Sequence, residues 1–163
     1  MMAISRSHAI GHSVARRGNG VLRMTSEAVA LAALIVLLFP MAYFLVTSPT
    51  FLLVKLDIPE VSRLLRGHFH AYFLMTSIVA GFATVAFAVS GRWLPALGVG
   101  AVTGFALWAR PWFLRRIDAL LRSREAGDAD AIRRLRRLHW EGMVSNAVQF
   151  VIIVACIPRL FPA

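Results

Sequence analysis

Apolar residues in this chain come in long blocks rather than in short alternating runs. The first block extends from about Ala28 to Val54 and contains no formal charge; the second, from about Ala71 to Val89, is also uncharged. A third spans about Trp93 to Ala109 and a fourth about Met143 to Ile157. A helix needs roughly 20 apolar residues to cross about 30 Å of hydrocarbon. The first two blocks meet that length. The other two are shorter, but each is flanked by tryptophan, which favours the headgroup level. The pattern predicts an all-α integral membrane four-helix bundle, with residues 27–163 as the four-span domain.

Punctuation between the blocks refines this picture. Pro40 should kink the first helix or pack against a neighbour. That helix is expected to end at Thr47-Ser48-Pro49 and to resume with Phe51-Leu52-Leu53-Val54. Asp57 is a candidate cap for the next helix, with Pro59 near its first position, and that helix should run through Arg66 into the second span. Ser90-Gly91 closes it. Past Ala109 the pattern becomes amphipathic: Trp112, Phe113, Ile117, Leu120 and Leu121 share a stripe bordered by Arg115, Arg116, Asp118 and Arg122. Gly127 breaks this helix, and Asp128 or Asp130 can cap the one that follows. A basic helical hairpin is therefore expected between spans three and four, continuous with both.

The third block is rich in small residues. Gly100 and Gly104 form a small-xxx-small pair, and Ser77 and Gly81 have the same spacing on the second span. Such pairs let helix backbones approach closely in lipid. These two faces are expected to touch within the bundle, with a homodimer seam as the alternative.

Composition supports the membrane reading, since 58 % hydrophobic and 16 % charged residues leave too little polar surface for water. Eighteen Lys and Arg stand against eight Asp and Glu. In a soluble chain that excess would suggest nucleic acid; here its placement points to lipid instead, and no nucleic-acid partner is expected. The two loops on one side, after the first and third blocks, carry Lys55, Arg63 and Arg66 together with nine arginines from Arg110 to Arg137. The other side carries only Arg6, Arg16, Arg17, Arg23, Arg92 and Arg159. Positive charge beside spans marks the cytoplasmic side, which puts the hairpin inside and both termini outside, although the basic N-terminal tail pulls the other way. The hairpin arginines are expected to snorkel to headgroups and bind anionic lipid, or to dock a partner protein.

Residues 1–26 are polar and basic, with no acid before Glu27. Three readings stand open: a disordered tail, a true start at Met24, or an organelle transit peptide. No short apolar region with a small-residue cleavage site precedes the first span, so a secretory signal peptide is not expected. Cys156 is the single cysteine, which excludes an intramolecular disulfide and reads as a small apolar packing residue.

The candidate chemistry is polar groups at membrane depth, which are costly and therefore point to function or to interhelical hydrogen bonding. His139 opens the fourth span, and Asn146 lies seven residues on, two turns later on the same face. His139, Gly142 and Asn146 are expected to face inward. His68 and His70 open the second span at similar depth; being two apart they diverge on a helix, so at most one can join His139. His70, Arg110 and Glu141 complete the candidate polar site, with Glu141 near enough to the arginines for an ion pair. Two facing histidines could ligate haem. No nucleophile elbow, phosphate-cradling loop or metal-ligand run occurs, and no cofactor, metal or catalytic residue is expected.

Three blocks carry a family resemblance. One pairs Phe44-Leu45-Val46 and Phe51 with Phe69-x-x-Tyr72-Phe73 across a short charged loop. The second is Ala109-Arg110-Pro111-Trp112 leading into a charged hairpin. The third is Leu138-His139 followed by Asn146. In these the chain resembles the small membrane-protein family that includes transmembrane protein 205 and the bacterial domain of unknown function 4149, over roughly residues 30–157. It departs from the family pattern near the end of the third span, where a polar residue such as Asn is frequent and this chain has Trp108, and at Gly142, where a Ser is frequent; His68 and His70 match no family motif. The resemblance implies a four-helix membrane protein without an established enzymatic activity.

The expectation is thus a non-enzymatic protein of the bacterial inner membrane, an accessory subunit or self-associating scaffold, with an organelle membrane as the alternative location. The competing functions are a small transporter or small-molecule binder using His139 and Asn146, and a haem- or quinone-linked oxidoreductase.

Overall fold

The computed structural model describes the backbone of residues 5–53, 56 and 58–160, and the side chains of residues 28–53, 56, 58–155 and 157. Asp57, read above as a cap, lies outside the described residues, as do the side chains of the N-terminal tail and of Cys156.

Four helices account for nearly all the described backbone: α1 (Ser5–Leu53), α2 (Pro59–Val89), α3 (Trp93–Glu125) and α4 (Ala131–Leu160). Three contain stretches long and apolar enough to cross a membrane, Ala28–Leu53, Pro59–Val89 and Ala131–Ala155. The first half of α3 is not among them: its glycines and tryptophans dilute the apolar content of 93–109, and Arg110 follows directly.

α1 does not stop at Thr47-Ser48-Pro49 as expected. It continues through Pro40 and Pro49 to Leu53. Each proline removes one backbone donor, and the packing of Phe44, Ser48 and Phe51 on either side holds the helix together across the second one. Ile58 precedes α2 with extended backbone, and Pro59 occupies the start of the helix, where its missing N–H is not needed. α2 ends as expected: Gly91 takes a φ of 74°, and the N–H of Arg92 reaches back to the Phe87 carbonyl. The second break falls at Gly127, with a φ of 89°. Beyond it the Asp128 carboxylate accepts the Asp130 N–H at 2.9 Å, and the Asp130 carbonyl accepts from Arg134. α3 and α4 therefore form one long helical hairpin whose turn end is basic.

Each helix packs on its neighbours in sequence, and α4 closes back on α1, so the four surround a common centre. α1 feeds that centre with Ala30, Leu34, Leu37, Met41, Phe44, Ser48 and Phe51. Their alternating steps of four and three residues are the heptad spacing that keeps one stripe of a helix against its neighbours. The outer surface is apolar on every helix: Phe39, Val46, Phe82, Val85, Leu94, Leu97, Trp108 and Val151 are all exposed.

The α2–α3 contact differs in detail from the expected glycine seam. Gly100 does meet α2, at the methyl of Thr84, and Gly81 meets the methyl of Thr103. The two threonine hydroxyls lie 3.4 Å apart. Gly104, however, faces outward with open space beside it. The seam is Gly–Thr against Gly–Thr, since the rotation of α3 turns Thr103 rather than Gly104 to its neighbour. Nearer the turn, Arg66 of α2 and Asp118 of α3 form a two-pronged ion pair at 2.5 and 3.0 Å, and Arg124 donates to the Ser62 hydroxyl. The Arg66 guanidinium holds the Asp118 carboxyl below the usual carboxylate range.

Candidate functional site

The polar stripe of α4 turns inward. His139, Gly142 and Asn146 are all buried, His139 and Asn146 to within 1 % of full enclosure. They fall at three- and four-residue steps, so any rotation that buries one buries all.

Both polar side chains reach α1 backbone. His139 Nε2 lies 2.9 Å from the carbonyl of Ser48, and Asn146 Nδ2 donates to the carbonyl of Met41 at 2.9 Å. Carbonyls only accept, so the Nε2 of His139 carries the proton. A carbonyl has two lone pairs, which lets it serve the helix ladder and a side chain together. Seven residues separate the two donors on α4, and seven separate the two acceptors on α1, as antiparallel neighbours in a single register require.

The other end of Asn146 is also engaged: its Oδ1 accepts the Tyr72 hydroxyl of α2 at 2.8 Å. Asn146 thereby joins three helices. α2 and α4 are diagonal partners whose backbones do not approach, so aromatic side chains bridge the gap. Phe69 crosses it, with its ring stacked on Phe113 at 5.2 Å and edge-on to His139 at 5.6 Å. Gly142 makes room for that ring. A Cβ there would fall 2.6 Å from Phe69 Cε1, a distance no methyl tolerates. The position where the resembled family often has Ser is in this chain reserved for Gly by its neighbour.

Of the two histidines on α2, His68 and not His70 joins the cluster. Its ring stacks on Phe44 at 4.8 Å, and its Nε2 lies 3.2 Å from the Ser48 hydroxyl and 3.4 Å from that of Thr47. Ser48 therefore meets both histidines, His68 through its hydroxyl and His139 through its carbonyl. His139 Nδ1 is buried without a partner, surrounded by the rings of Phe44, Phe51 and Phe69. That nitrogen thus faces an apolar wall.

The remaining candidates stand elsewhere. His70 faces α3, where its ring nitrogens lie 3.3 and 3.4 Å from a terminal nitrogen of Arg110, whose Nε is buried without a partner. Glu141 is exposed and pairs with Arg137 at 3.1 Å, one turn earlier on α4. The five candidate residues thus divide into a central pair, His139 and Asn146, a second pair on the α2–α3 side, and one surface carboxylate. Ser48 and Tyr72 belong to the centre without being singled out by the sequence, and His68 takes there the place expected of His70. The available signal was Ser48 as a hydroxyl inside an apolar helix, beside Pro49, and Tyr72 in the Phe69-x-x-Tyr72-Phe73 block. Among the described residues no three His, Cys, Asp or Glu side chains converge as a metal site would require.

Comparison of the chain with protein-family models, with curated proteins and with solved structures returned no match.

Proposed function

We propose that this chain is a four-span integral membrane protein of the bacterial inner membrane, acting as a non-enzymatic accessory subunit or self-associating scaffold of a membrane complex. One observation carries this reading. Three of the four side-chain polar atoms of His139 and Asn146 are spent on other helices: both ends of Asn146 and the Nε2 of His139 are hydrogen-bonded to Tyr72, Met41 and Ser48. A site built to bind substrate keeps convergent polar groups free; this stripe fixes how helices sit against one another.

Three considerations support the membrane placement. Three stretches have the required length and apolarity. Large apolar side chains stand exposed on all four helices, among them Phe39, Phe82, Leu94 and Val151, as a lipid-facing surface requires. α3, which holds no stretch of that apolarity, carries Trp93 at one end and Trp112 nineteen residues later, about 29 Å along a helix at about 1.5 Å per residue, close to the hydrocarbon thickness. The excess of arginine at the α3–α4 turn supports a cytoplasmic position for that end. Membership of the family that includes transmembrane protein 205 is part of the same proposal, resting on the blocks quoted above.

Native mass spectrometry of the full chain released in a mild detergent tests the function. A stoichiometric second protein or a defined homo-oligomer is expected. A bare monomer in every mild detergent, from membranes where the chain is abundant, overturns the scaffold reading.

One observation favours a second reading, a small-molecule binder: the unpartnered Nδ1 of His139. His139→Ala decides between them. Loss of bound ligand or flux with melting temperature unchanged supports the binder; a lowered melting temperature alone supports the structural role.

A further inference from the structure

We infer that the groove between α3 and α4 at the basic end of the hairpin is a binding site for one anionic phospholipid, its phosphate held by Arg115 and Arg116. This inference rests on the membrane placement proposed above.

The groove follows from helical spacing. Trp112, Arg115, Arg116, Ala119 and Leu120 repeat at three- and four-residue steps and share one face of α3; Arg134, Arg137, Leu138 and Glu141 do so on α4. The two faces enclose an open space of about 590 Å³. Its lining includes the apolar side chains of Trp112, Ala119, Leu120 and Leu138. Its rim holds four guanidinium groups and one carboxylate.

Those four cations are not equivalent. Arg134 pairs with Asp128, and Arg137 with Glu141 at 3.1 Å. Among the described residues neither Arg115 nor Arg116 has a carboxylate within ion-pair distance. Arg116 instead lies over the Trp112 ring at 4.8 Å. Stacking on an indole holds a guanidinium by its face and leaves its donor edge free. Two adjacent, unneutralised arginines with free edges match a phosphodiester, which accepts paired N–H donors.

The apolar lining selects a lipid over a soluble phosphate. Trp108, one turn before the groove on α3, and Trp140, on α4 beside it, are both exposed, the arrangement of an interfacial aromatic belt. Trp112 lies in the groove itself. The arginine rim is then at headgroup depth, where basic pockets between spans take acidic lipid, and the chains of that lipid lie along the exposed apolar faces of α3 and α4.

The test is native mass spectrometry of the full chain in mild detergent, with phosphatidylglycerol, phosphatidylcholine or sn-glycerol 3-phosphate added. One phosphatidylglycerol should be retained per chain, with a preference over phosphatidylcholine of about tenfold or more, because phosphatidylcholine offers the same phosphodiester but its quaternary ammonium cancels the net charge that two unneutralised arginines attract. Arg115→Gln/Arg116→Gln should abolish the preference. Arg133→Gln/Arg136→Gln removes the same charge from the exposed face and should keep it. Ala119→Trp fills the groove without changing charge and should also abolish it, which guards against misfolding of the arginine variant. Equal loss in both arginine pairs overturns the site in favour of diffuse attraction. Equal binding of glycerol phosphate overturns the lipid, and absence of any preference overturns both. A chain that needs no detergent sinks the membrane placement itself, whereas these outcomes in an embedded chain sink the groove alone.

Discussion

His139 of α4 and Ser48 of α1 are joined side chain to backbone at 2.9 Å, and two turns away Asn146 repeats the contact on Met41. Because the acceptors are carbonyls, no side chain on α1 has to be chosen to receive them; the contact specifies position along the helix rather than sequence. Sliding α4 by one residue breaks both bonds and buries two unpaired polar groups, which in an apolar interior is costly. This pair of contacts is a register lock.

Removing the branch point should weaken the lock. Asn146→Ala leaves the buried Tyr72 hydroxyl without its acceptor and the Met41 carbonyl with its ladder bond alone. A loss of about 1–2 kcal/mol is expected, from unpaired buried groups and the modest worth of interhelical bonds in membranes. Tyr72→Phe should cost less. The double variant should fall short of the sum of the two, as read by denaturation in mixed micelles; strict additivity would show that the bond contributes nothing.

Gly142→Ala should destabilise despite the better helix propensity of alanine. The new methyl meets Phe69, whose ring is held between Phe44, Phe113 and His139 and has no free direction to move. Overpacking of this kind costs about 1–3 kcal/mol, against a propensity gain of about 1 kcal/mol. Phe69→Leu in the same chain should recover part of the loss. An alanine variant that melts higher than the parent would contradict the close approach.

Acid should loosen the α2–α3 contact. Asp118 titrates below the usual carboxylate range because Arg66 bonds to it. A depressed carboxyl stabilises the fold fully above its unfolded pKa, about 3.9, and loses that contribution as pH falls through the folded value. Both side chains are about a third or more exposed, so the contribution is under about 1 kcal/mol. Asp118→Asn should flatten the melting temperature between about pH 5 and pH 2. An unchanged slope would assign the acid sensitivity to other groups.

The helix without a candidate span gives a direct check of depth. In a Cys156→Ser background, a cysteine at Ala101, exposed midway between Trp93 and Trp112, should resist a membrane-impermeant maleimide in sealed vesicles, and one at Arg122 should react from the side proposed as cytoplasmic. Rapid labelling at Ala101 would place α3 outside the hydrocarbon.

Much of this was legible from residue order. Long charge-free blocks dictate helices, since only an internally bonded backbone is stable in an apolar surrounding. Pro59, Gly91 and Gly127 mark ends because each acts through its own backbone, and the shared inward face of His139, Gly142 and Asn146 follows from 3.6 residues per turn. The sequence alone determined those features. Only the tertiary structure decided which partners they meet: that His68 and not His70 joins Ser48, that Thr103 displaces Gly104 from the α2 seam, that α1 runs on through Pro49, and that Gly142 answers to Phe69. Each depends on how a helix is rotated about its axis against two neighbours at once, and that angle is set by the packing of all four helices, a quantity no local spacing contains.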